Sequence, residues 1–353
     1  MSRRRVSLIV TLILVAFLLA GAAPVLAKAR TLKTASMIYN NLRVDYYGWN
    51  RFQELVEQRT NGQFKFKRLD KAIIGDNVAM HEAVMRGTVD LCKGWAPILT
   101  NHSDAARALL LPFLLNYPED MLWLIESPHA RELMDVIGKQ AGVHVLNSGI
   151  YEERHIFNNK RPIHNIADVK GMRIRTLESK SEQEWMALTG ARPGPSSFPE
   201  LYNMLKTGVF DGYDGNFTVH DSMKYYEVTK YVTIMGYHNI GPLFLVNEKV
   251  WAGFSPAVKK VFLDAAKQAV VENYAQGRRM VQRARAVALK HGNQIIEQLD
   301  DRDKWVAAVQ PYIAKVRKLS PAVDKYVKAV EKYHRDWPRW PTDVKAPVPK
   351  AKY

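Results

Sequence analysis

The segment from Gly171 to Thr176, Gly-Met-Arg-Ile-Arg-Thr, places two arginines in a short run that predicts a strand opened by a glycine. An arginine guanidinium is a planar fork of N–H donors that matches two carboxylate oxygens and keeps its proton in proteins. The chemistry that these residues offer is recognition of an anion. Arg175, at the end of the run, is the first candidate, and we expect Arg173 to face solvent.

Arg154 is a further arginine, at the start of a stretch to Asn158 that predicts an extended conformation. Two glutamates, Glu152 and Glu153, directly precede it. An ion pair with either glutamate is therefore the alternative to a role in ligand binding.

Residue patterns for catalysis, for a cofactor and for a metal ion are missing from the sequence. It has no glycine-rich dinucleotide loop, no Walker loop and no nucleophile elbow. His81 and Glu82 lack the second histidine of a zinc-protease helix, and the single cysteine, Cys92, cannot build a thiolate metal site. We expect Cys92 to be a small buried residue. These observations argue against an enzyme and predict no cofactor and no metal.

Length and charge limit the kind of protein that this chain can be. It has 353 residues, 47% of them hydrophobic, which is enough for about two domains with their own cores. The formal net charge is +16 at pH 7. A basic surface attracts nucleic acid, anionic lipid or anionic solutes, and it can also be an ordinary solvated surface. An N-terminal export signal argues against nucleic acid as the partner.

That signal lies in residues 1–27, which have the order of a secretory signal peptide. Arg3 to Arg5 are basic, Val6 to Ala20 is almost wholly apolar, and Gly21 to Ala27 is rich in small residues. We expect cleavage after Ala27 and a periplasmic mature protein. An uncleaved anchor is the alternative, but the apolar segment is shorter than the roughly 20 residues that a membrane span needs.

Hydrophobic periodicity divides the N-terminal half into alternating strands and helices. The predicted elements are a strand at 31–38, a helix at 44–60, a strand at Phe64–Leu69, a helix at 76–86 that ends at Gly87, and a strand at Thr88–Cys92. This βαβαβ order predicts parallel strands with right-handed crossovers.

A second α/β unit follows without a long linker. It comprises helical pieces at 119–141 that separate at Pro128, strands at Val143–Ile150, Met172–Thr176 and Val209–Tyr213, and helices near 180–189 and 198–205. Residues Pro256 to Lys318 are predicted to be nearly all helical, and the tail from Trp337 to Tyr353 to be extended or disordered. Clefts between two such units commonly bind small ligands.

Several motifs, taken in order, resemble the solute-binding subunit of TRAP (tripartite ATP-independent periplasmic) transporters, the dicarboxylate-binding-protein family. They are Asp168-Val169-Lys170-Gly171-Met172-Arg173-Ile174-Arg175, Gly190-Ala191-Arg192-Pro193, Phe198-Pro199-Glu200-Leu201-Tyr202, Tyr226-Glu227-Val228-Thr229-Lys230-Tyr231 and Asn247-Glu248-Lys249-Val250-Trp251. None of them is specific alone, but together they extend the resemblance over roughly residues 31–300.

The resemblance implies an α/β fold like that of periplasmic binding proteins, with two α/β lobes around a ligand cleft and long C-terminal helices. Lobe I is expected at residues 28–152 plus about 242–280, lobe II at 153–241 plus about 281–320, and a C-terminal extension at 321–353. Hinge closure would trap a small organic acid. Membrane permease subunits would then take it up with an ion gradient.

The resemblance also implies roles for individual residues. The arginine that ends the Gly-x-x-Ile-Arg element pairs with the substrate carboxylate in the family, and this arginine is Arg175 here. Arg154 aligns with a second family arginine that supports the same carboxylate or another ligand oxygen. Phe198 aligns with an aromatic residue suited to packing on the carbon skeleton of the ligand, with core packing as the alternative.

Three further candidates follow strands of the N-terminal unit. Trp95 comes after the third strand, where a loop enters the cleft, and its indole suits an apolar or aromatic ligand, with core packing again as the alternative. Tyr39 and Asn40 come after the first strand and could donate hydrogen bonds to a ligand. Alternatively, Asn40 or Asn41 caps the next helix.

One departure from the family lies in Asp211-Gly212-Tyr213-Asp214-Gly215-Asn216. Many members have an asparagine at the position of Gly215, whereas here Asn216 follows one step later. Either Asn216 takes that role, or Tyr213 and Asp214 shape a different pocket, so both Tyr213 and Asn216 are ligand-binding candidates. The aromatic candidates favour a flat acid over a sugar acid of the sialic type.

The main alternative function is a ligand-binding protein that serves a sensory receptor instead of a permease. An exported enzyme on the same scaffold is a further alternative, since a fold does not determine a function. The sequence offers no catalytic residues for it.

Overall fold

The computed structural model describes residues 29–148, 152–239 and 241–336. The predicted signal peptide and the tail from Trp337 lie outside the described residues. Within these ranges, no helix has both the length and the hydropathy that crossing a bilayer requires.

The described residues form strands and helices in alternation along most of the chain. The strands are β1 (Arg30–Ala35), β2 (Phe64–Leu69), β3 (Leu91–Gly94), β4 (Val143–Ser148), β5 (His155–Asn158), β6 (Arg173–Thr176), β7 (Arg192–Pro195), β8 (Gly212–Gly215), β9 (Tyr231–Thr233), β10 (Leu243–Asn247) and β11 (Gln294–Ile296). The α-helices are α1 (Val44–Arg59), α2 (Asn77–Arg86), α3 (Ala96–Leu99), α4 (Pro118–Glu126), α5 (Pro128–Ala141), α6 (Lys180–Ala187), α7 (Leu201–Lys206), α8 (Phe217–Ser222), α9 (Glu248–Ala252), α10 (Pro256–Lys290), α11 (Arg302–Arg317) and α12 (Pro321–Asp336).

The first lobe is built on a five-stranded sheet in the order β2-β1-β3-β10-β4. β1 pairs in parallel with both β2 and β3, which confirms the predicted parallel βαβαβ unit. Asp76 caps α2 by accepting a hydrogen bond from the Ala79 N–H at 2.9 Å, and Gly87 ends the helix in the left-handed conformation. The third strand begins at Leu91, three residues later than predicted.

The second lobe is built on a six-stranded sheet in the order β11-β9-β5-β8-β6-β7. β6 is parallel to both β7 and β8, whereas β5 is antiparallel to β8 and β9. In this register, Arg175 of β6 lies between Gly194 of β7 and Tyr213 of β8. The sheet therefore brings residues from three separate motifs to one place.

The two sheets exchange chain segments, because the chain passes from β4 to β5 and returns from β9 to β10. Helix α10, 35 residues long, packs on α1 of the first lobe and on α8 of the second. The predicted two α/β lobes with long C-terminal helices are confirmed.

Two details of the C-terminal third differ from the prediction. Residues 256–318 are not nearly all helical, because the chain leaves the helical conformation at Gly292 (φ 83°) and forms β11 before α11. A left-handed glycine is a common helix end, and β11 then pairs in parallel with β9. Residues 321–336, expected only as an extension, form helix α12.

Candidate ligand-binding site

A cavity of about 470 Å³, counting the space at its opening, lies between the two lobes. The first lobe contributes Met37, Arg43, Asn77 and Trp95, and the second contributes Arg154, Arg175, Leu177, Phe198, Leu201, Tyr213, Asp214, Gly215, Asn216 and Val219. Six of the eight predicted ligand-binding residues are among them.

Tyr39 and Asn40 are the two predicted residues that do not line this cavity. The Asn40 Oδ1 accepts a hydrogen bond from the Leu42 N–H at 3.0 Å, and the N-cap of α1 is Arg43, so the predicted capping role of Asn40 is wrong. The Tyr39 ring lies 6.3 Å from the ring of Phe198 between centroids. Tyr39 therefore packs against Phe198, a residue of the lining.

Arg175 is buried at 2% exposure. Its Nε and Nη2 donate to the Ser196 carbonyl oxygen at 3.0 and 2.6 Å, and its Nη1 has no hydrogen-bond partner among the described residues. Burial lowers the pKa of Arg175 from its ordinary value, but a guanidinium still keeps its proton. One edge of the fork is therefore anchored, and the group has no carboxylate bonded to it within the described chain. Arg173, on the same strand, is exposed and pairs with Asp211 at 2.8 Å, as predicted for a solvent-facing residue.

Arg154 is also buried, but it has an internal partner. Its Nε lies 2.9 Å from each carboxylate oxygen of Asp214, and its Nη2 donates to the Asp214 carbonyl oxygen at 2.9 Å. Burial raises the pKa of Asp214, and the attraction of Arg154 opposes that shift. Glu152 is not bonded to it: one Glu152 oxygen accepts from the Thr218 N–H at 2.9 Å, and the other has no hydrogen-bond partner among the residues that the structure describes.

Both the hydroxyl and the ring of Tyr213 contact neighbouring side chains. Its hydroxyl lies 3.0 Å from the Nδ1 of His220, and its ring stacks on Phe157 with centroids 4.9 Å apart. Burial raises the pKa of Tyr213 well above its ordinary value. Tyr213 therefore contributes an aromatic ring to the cavity lining, and its hydroxyl already has a hydrogen-bond partner.

Phe198 of the second lobe and Trp95 of the first lobe both line the cavity. The Arg43 guanidinium of the first lobe lies 5.5 Å from the Phe198 ring centroid, a cation–π contact between lobes. The Trp95 N–H of the backbone donates to the His81 Nε2 at 2.8 Å. Burial lowers the pKa of His81 to about 3, which keeps the ring neutral and able to accept.

Two amide side chains in the lining carry atoms without partners. The Asn216 Oδ1 caps α8 by accepting from the Val219 N–H at 3.0 Å, while its Nδ2 is buried and has no partner in the described part of the chain. Asn77, the first residue of α2, makes no side-chain hydrogen bond within the described residues, and its Oδ1 is buried. Both amides are available to a ligand.

The sequence reading missed a buried cluster of charges beside the cavity. Arg43 donates from Nε and Nη2 to the Asp45 carboxylate at 3.1 and 3.0 Å, and the Lys93 ammonium contacts the same carboxylate. Burial raises the pKa of Asp45, but the two cations outweigh it and the pKa lies below its ordinary value. A lysine inside the apolar strand at Leu91–Gly94 was the available signal.

Cys92 is fully buried, and burial raises the pKa of its thiol, which agrees with the predicted structural role. Among the described residues, no group of three or more His, Cys, Asp or Glu side chains is placed to hold a metal ion.

Comparisons with known proteins agree with this architecture. The family model for bacterial extracellular solute-binding protein, family 7, matches residues 35–319. The chain is similar to the 2,3-diketo-L-gulonate-binding periplasmic protein YiaO of Escherichia coli, at 28% identity over 62% of this chain and 66% of that protein. It is similar to the sialic acid-binding periplasmic protein SiaP of Vibrio cholerae, at 25% identity over 72% of this chain and 79% of that protein.

A solved structure shows the same fold. The TRAP periplasmic solute-binding protein from Polaromonas sp. JS666, bound to D-erythronate, has a TM-score of 0.78 and 26% identity, and covers 85% of this chain and 98% of its own. Proteins of this kind bind solutes for a transporter and are not enzymes. With a family model matching most of its length, the chain belongs to bacterial extracellular solute-binding protein family 7, the TRAP periplasmic solute-binding proteins.

Proposed function

We propose that this protein is the extracytoplasmic solute-binding subunit of a TRAP transporter and that it binds a small organic acid through a pair between Arg175 and the ligand carboxylate. The observation that carries this proposal is the state of Arg175. It is buried against the cavity, held by the Ser196 carbonyl oxygen, and has no carboxylate bonded to it among the described residues.

The environment of Arg175 favours such a pair. A charge-assisted hydrogen bond is roughly twice as strong as a neutral one, and a buried site screens it less than water does. The Asn216 Nδ2, also without a partner in the described chain, supplies a second donor in the same cavity. The two donors would bind one carboxylate from two sides and set its orientation.

The relatives support an acid as the ligand. The Polaromonas protein holds D-erythronate, and the solute-binding protein from Chromohalobacter salexigens, similar in fold, holds D-glucuronate. Each of these molecules carries a carboxylate. A carboxylate is therefore the ligand group that we expect this chain to bind, as its relatives do.

Contacts between the lobes provide a means of closure around the ligand. The Thr100 hydroxyl lies 3.0 Å from that of Ser179, and the Asn101 side-chain amide donates to the Glu178 carbonyl oxygen at 2.7 Å. A ligand that touches both lobes would stabilise the form in which these bonds exist. The closed protein would then deliver the acid to the permease. Residues 1–27 would direct the chain to the periplasm and be cleaved.

Isothermal titration calorimetry with an acid chosen by a thermal-shift screen tests the proposal. Arg175→Ala should weaken binding about 100-fold or more, because the ligand carboxylate would be buried without its partner. Arg173→Ala is the matched control on the same strand, and it should bind like the wild type. Near-normal affinity in Arg175→Ala, with the fold intact by circular dichroism, would remove Arg175 from the site.

The finer assignments need separate measurements. N-terminal sequencing of the protein isolated from the periplasm should begin after Ala27. In proteoliposomes that contain the permease, uptake of the acid should require the wild-type protein and fail with Arg175→Ala. Uptake that is independent of this protein would favour a sensory role instead.

A further inference from the structure

The arginines that line the cavity differ in their bonded partners, and Arg43 shares its partner Asp45 with Lys93. Three arginines line it within the described residues: Arg43 is paired with Asp45, Arg154 with Asp214, and Arg175 meets only a carbonyl oxygen. A buried carboxylate without a counter-charge is strongly unfavourable. Arg175 is therefore the lining arginine that has no carboxylate bonded to it in the described chain, and it offers a charge partner for one ligand carboxylate.

The hydrogen-bonding side chains in the lining are also largely occupied. The Tyr213 hydroxyl contacts His220, and the Asn216 Oδ1 caps a helix. Apart from Arg175, the side chains with atoms that lack partners in the described part of the chain are Asn216, through Nδ2, and Asn77, through its amide. A polyhydroxylated acid would bury several hydroxyl groups here, and each one left unpaired costs binding free energy.

The rest of the lining is apolar and comes from both lobes. It consists of Met37, Trp95, Leu177, Phe198, Leu201 and Val219, together with the ring of Tyr213. Such walls gain free energy by covering apolar ligand surface and gain nothing from hydroxyl groups. Asn77 belongs to the first lobe, whereas Arg175 and Asn216 belong to the second.

We propose that the ligand is a monocarboxylic acid with an apolar, aryl or branched-alkyl body and a single further polar group, with the carboxylate at Arg175 and Asn216 and the polar group at Asn77. This assignment rests on the proposed function and deepens it by naming the class of acid. A hydroxyl group suits Asn77, because an amide can both donate to it and accept from it.

Calorimetry with acids of similar size tests the class. The probes are 4-hydroxybenzoate and benzoate as aryl monocarboxylates, adipate as a dicarboxylate and ribonate as a polyhydroxylated acid. Both aryl acids should bind at least about tenfold more tightly than adipate or ribonate, because unpaired polar groups are penalised more than missing contacts. Tightest binding of adipate or ribonate, still abolished by Arg175→Ala, would overturn the class while leaving the proposed function intact.

A variant of Asn77 tests the placement of the polar group. In the wild type, 4-hydroxybenzoate should bind about fivefold or more tightly than benzoate, and in Asn77→Ala this ratio should fall to about one. Asn159→Ala, at an exposed asparagine outside the lining, is the control and should keep the ratio. An unchanged ratio in Asn77→Ala would refute the placement. If no acid of any of these classes binds, the proposed function fails, and the inferred class fails with it.

Discussion

The two lobes bury cations on either side of the cavity and compensate them differently. In the first lobe, Arg43 and Lys93 share the carboxylate of Asp45, and all three side chains are nearly or fully buried. Two cations therefore share one anion beside the wall of the cavity.

The described part of the second lobe buries two arginines with different partners. Arg154 is bonded to both carboxylate oxygens of Asp214, while Arg175 is bonded among the described residues to a carbonyl oxygen and to no carboxylate. The proposed role of Arg175 in binding an anion rests on this difference in partners more than on its burial.

The largest effect on stability is expected at Asp45. Asp45→Ala would leave Arg43, which cannot lose its proton, and Lys93 buried without an anion, and should lower the free energy of unfolding by about 4–5 kcal/mol. Urea denaturation followed by tryptophan fluorescence measures the change. A decrease in the free energy of unfolding of less than about 1 kcal/mol would show that the first-lobe cluster does not stabilise the wall of the cavity.

A smaller loss of stability is expected for a substitution of Arg154. Arg154→Ala leaves the Asp214 carboxyl unpaired, but burial already raises its pKa, so it can protonate, and we expect a loss of about 3 kcal/mol. Arg154→Leu combined with Asp214→Leu should recover most of this loss, because neither charge then remains buried. A double variant as unstable as the single one would contradict the pairing.

The pH dependence of the free energy of unfolding tests the role of Lys93 in the first-lobe cluster. Burial lowers the pKa of Lys93 from 10.5 to about 8 in the folded protein. Between these values the unfolded chain binds a proton that the folded chain does not, so stability should rise with pH from about 8 to about 10.5, by up to about 3 kcal/mol. Urea denaturation across this range should show the rise in the wild type and a flatter profile in Lys93→Met. Identical profiles would exclude Lys93 as its source.

The smallest effect is expected for Arg175 without ligand. Arg175→Ala removes a buried cation that has no carboxylate bonded to it in the described chain, so the loss of its bonds to the Ser196 carbonyl oxygen is offset, and stability should stay within about 1 kcal/mol of the wild type. The same denaturation experiment measures it. A loss as large as that of Arg154→Ala would erase the difference between the two arginines.

Local sequence patterns predicted much of the fold. The first βαβαβ unit follows from apolar spacing, and the ends of α2 follow from Asp76 and Gly87, because caps depend on residues within one turn. The end of α10 at Lys290 was missed, although Gly292 was visible in the sequence, because β11 is stabilised by β9, more than 60 residues earlier. Short strands of this kind depend on a partner more than on their own residues.

The sequence alone determined which residues could bind an anion and in which elements most of them lie, since residue type and periodicity are local properties. Only the tertiary structure decided how the charges are shared. Arg154 meets an aspartate 60 positions away, and Lys93 meets one 48 positions away. Those pairings depend on which strands become neighbours and in which register, and the free energy that selects them comes from burial of the whole sheet, which no short segment contains.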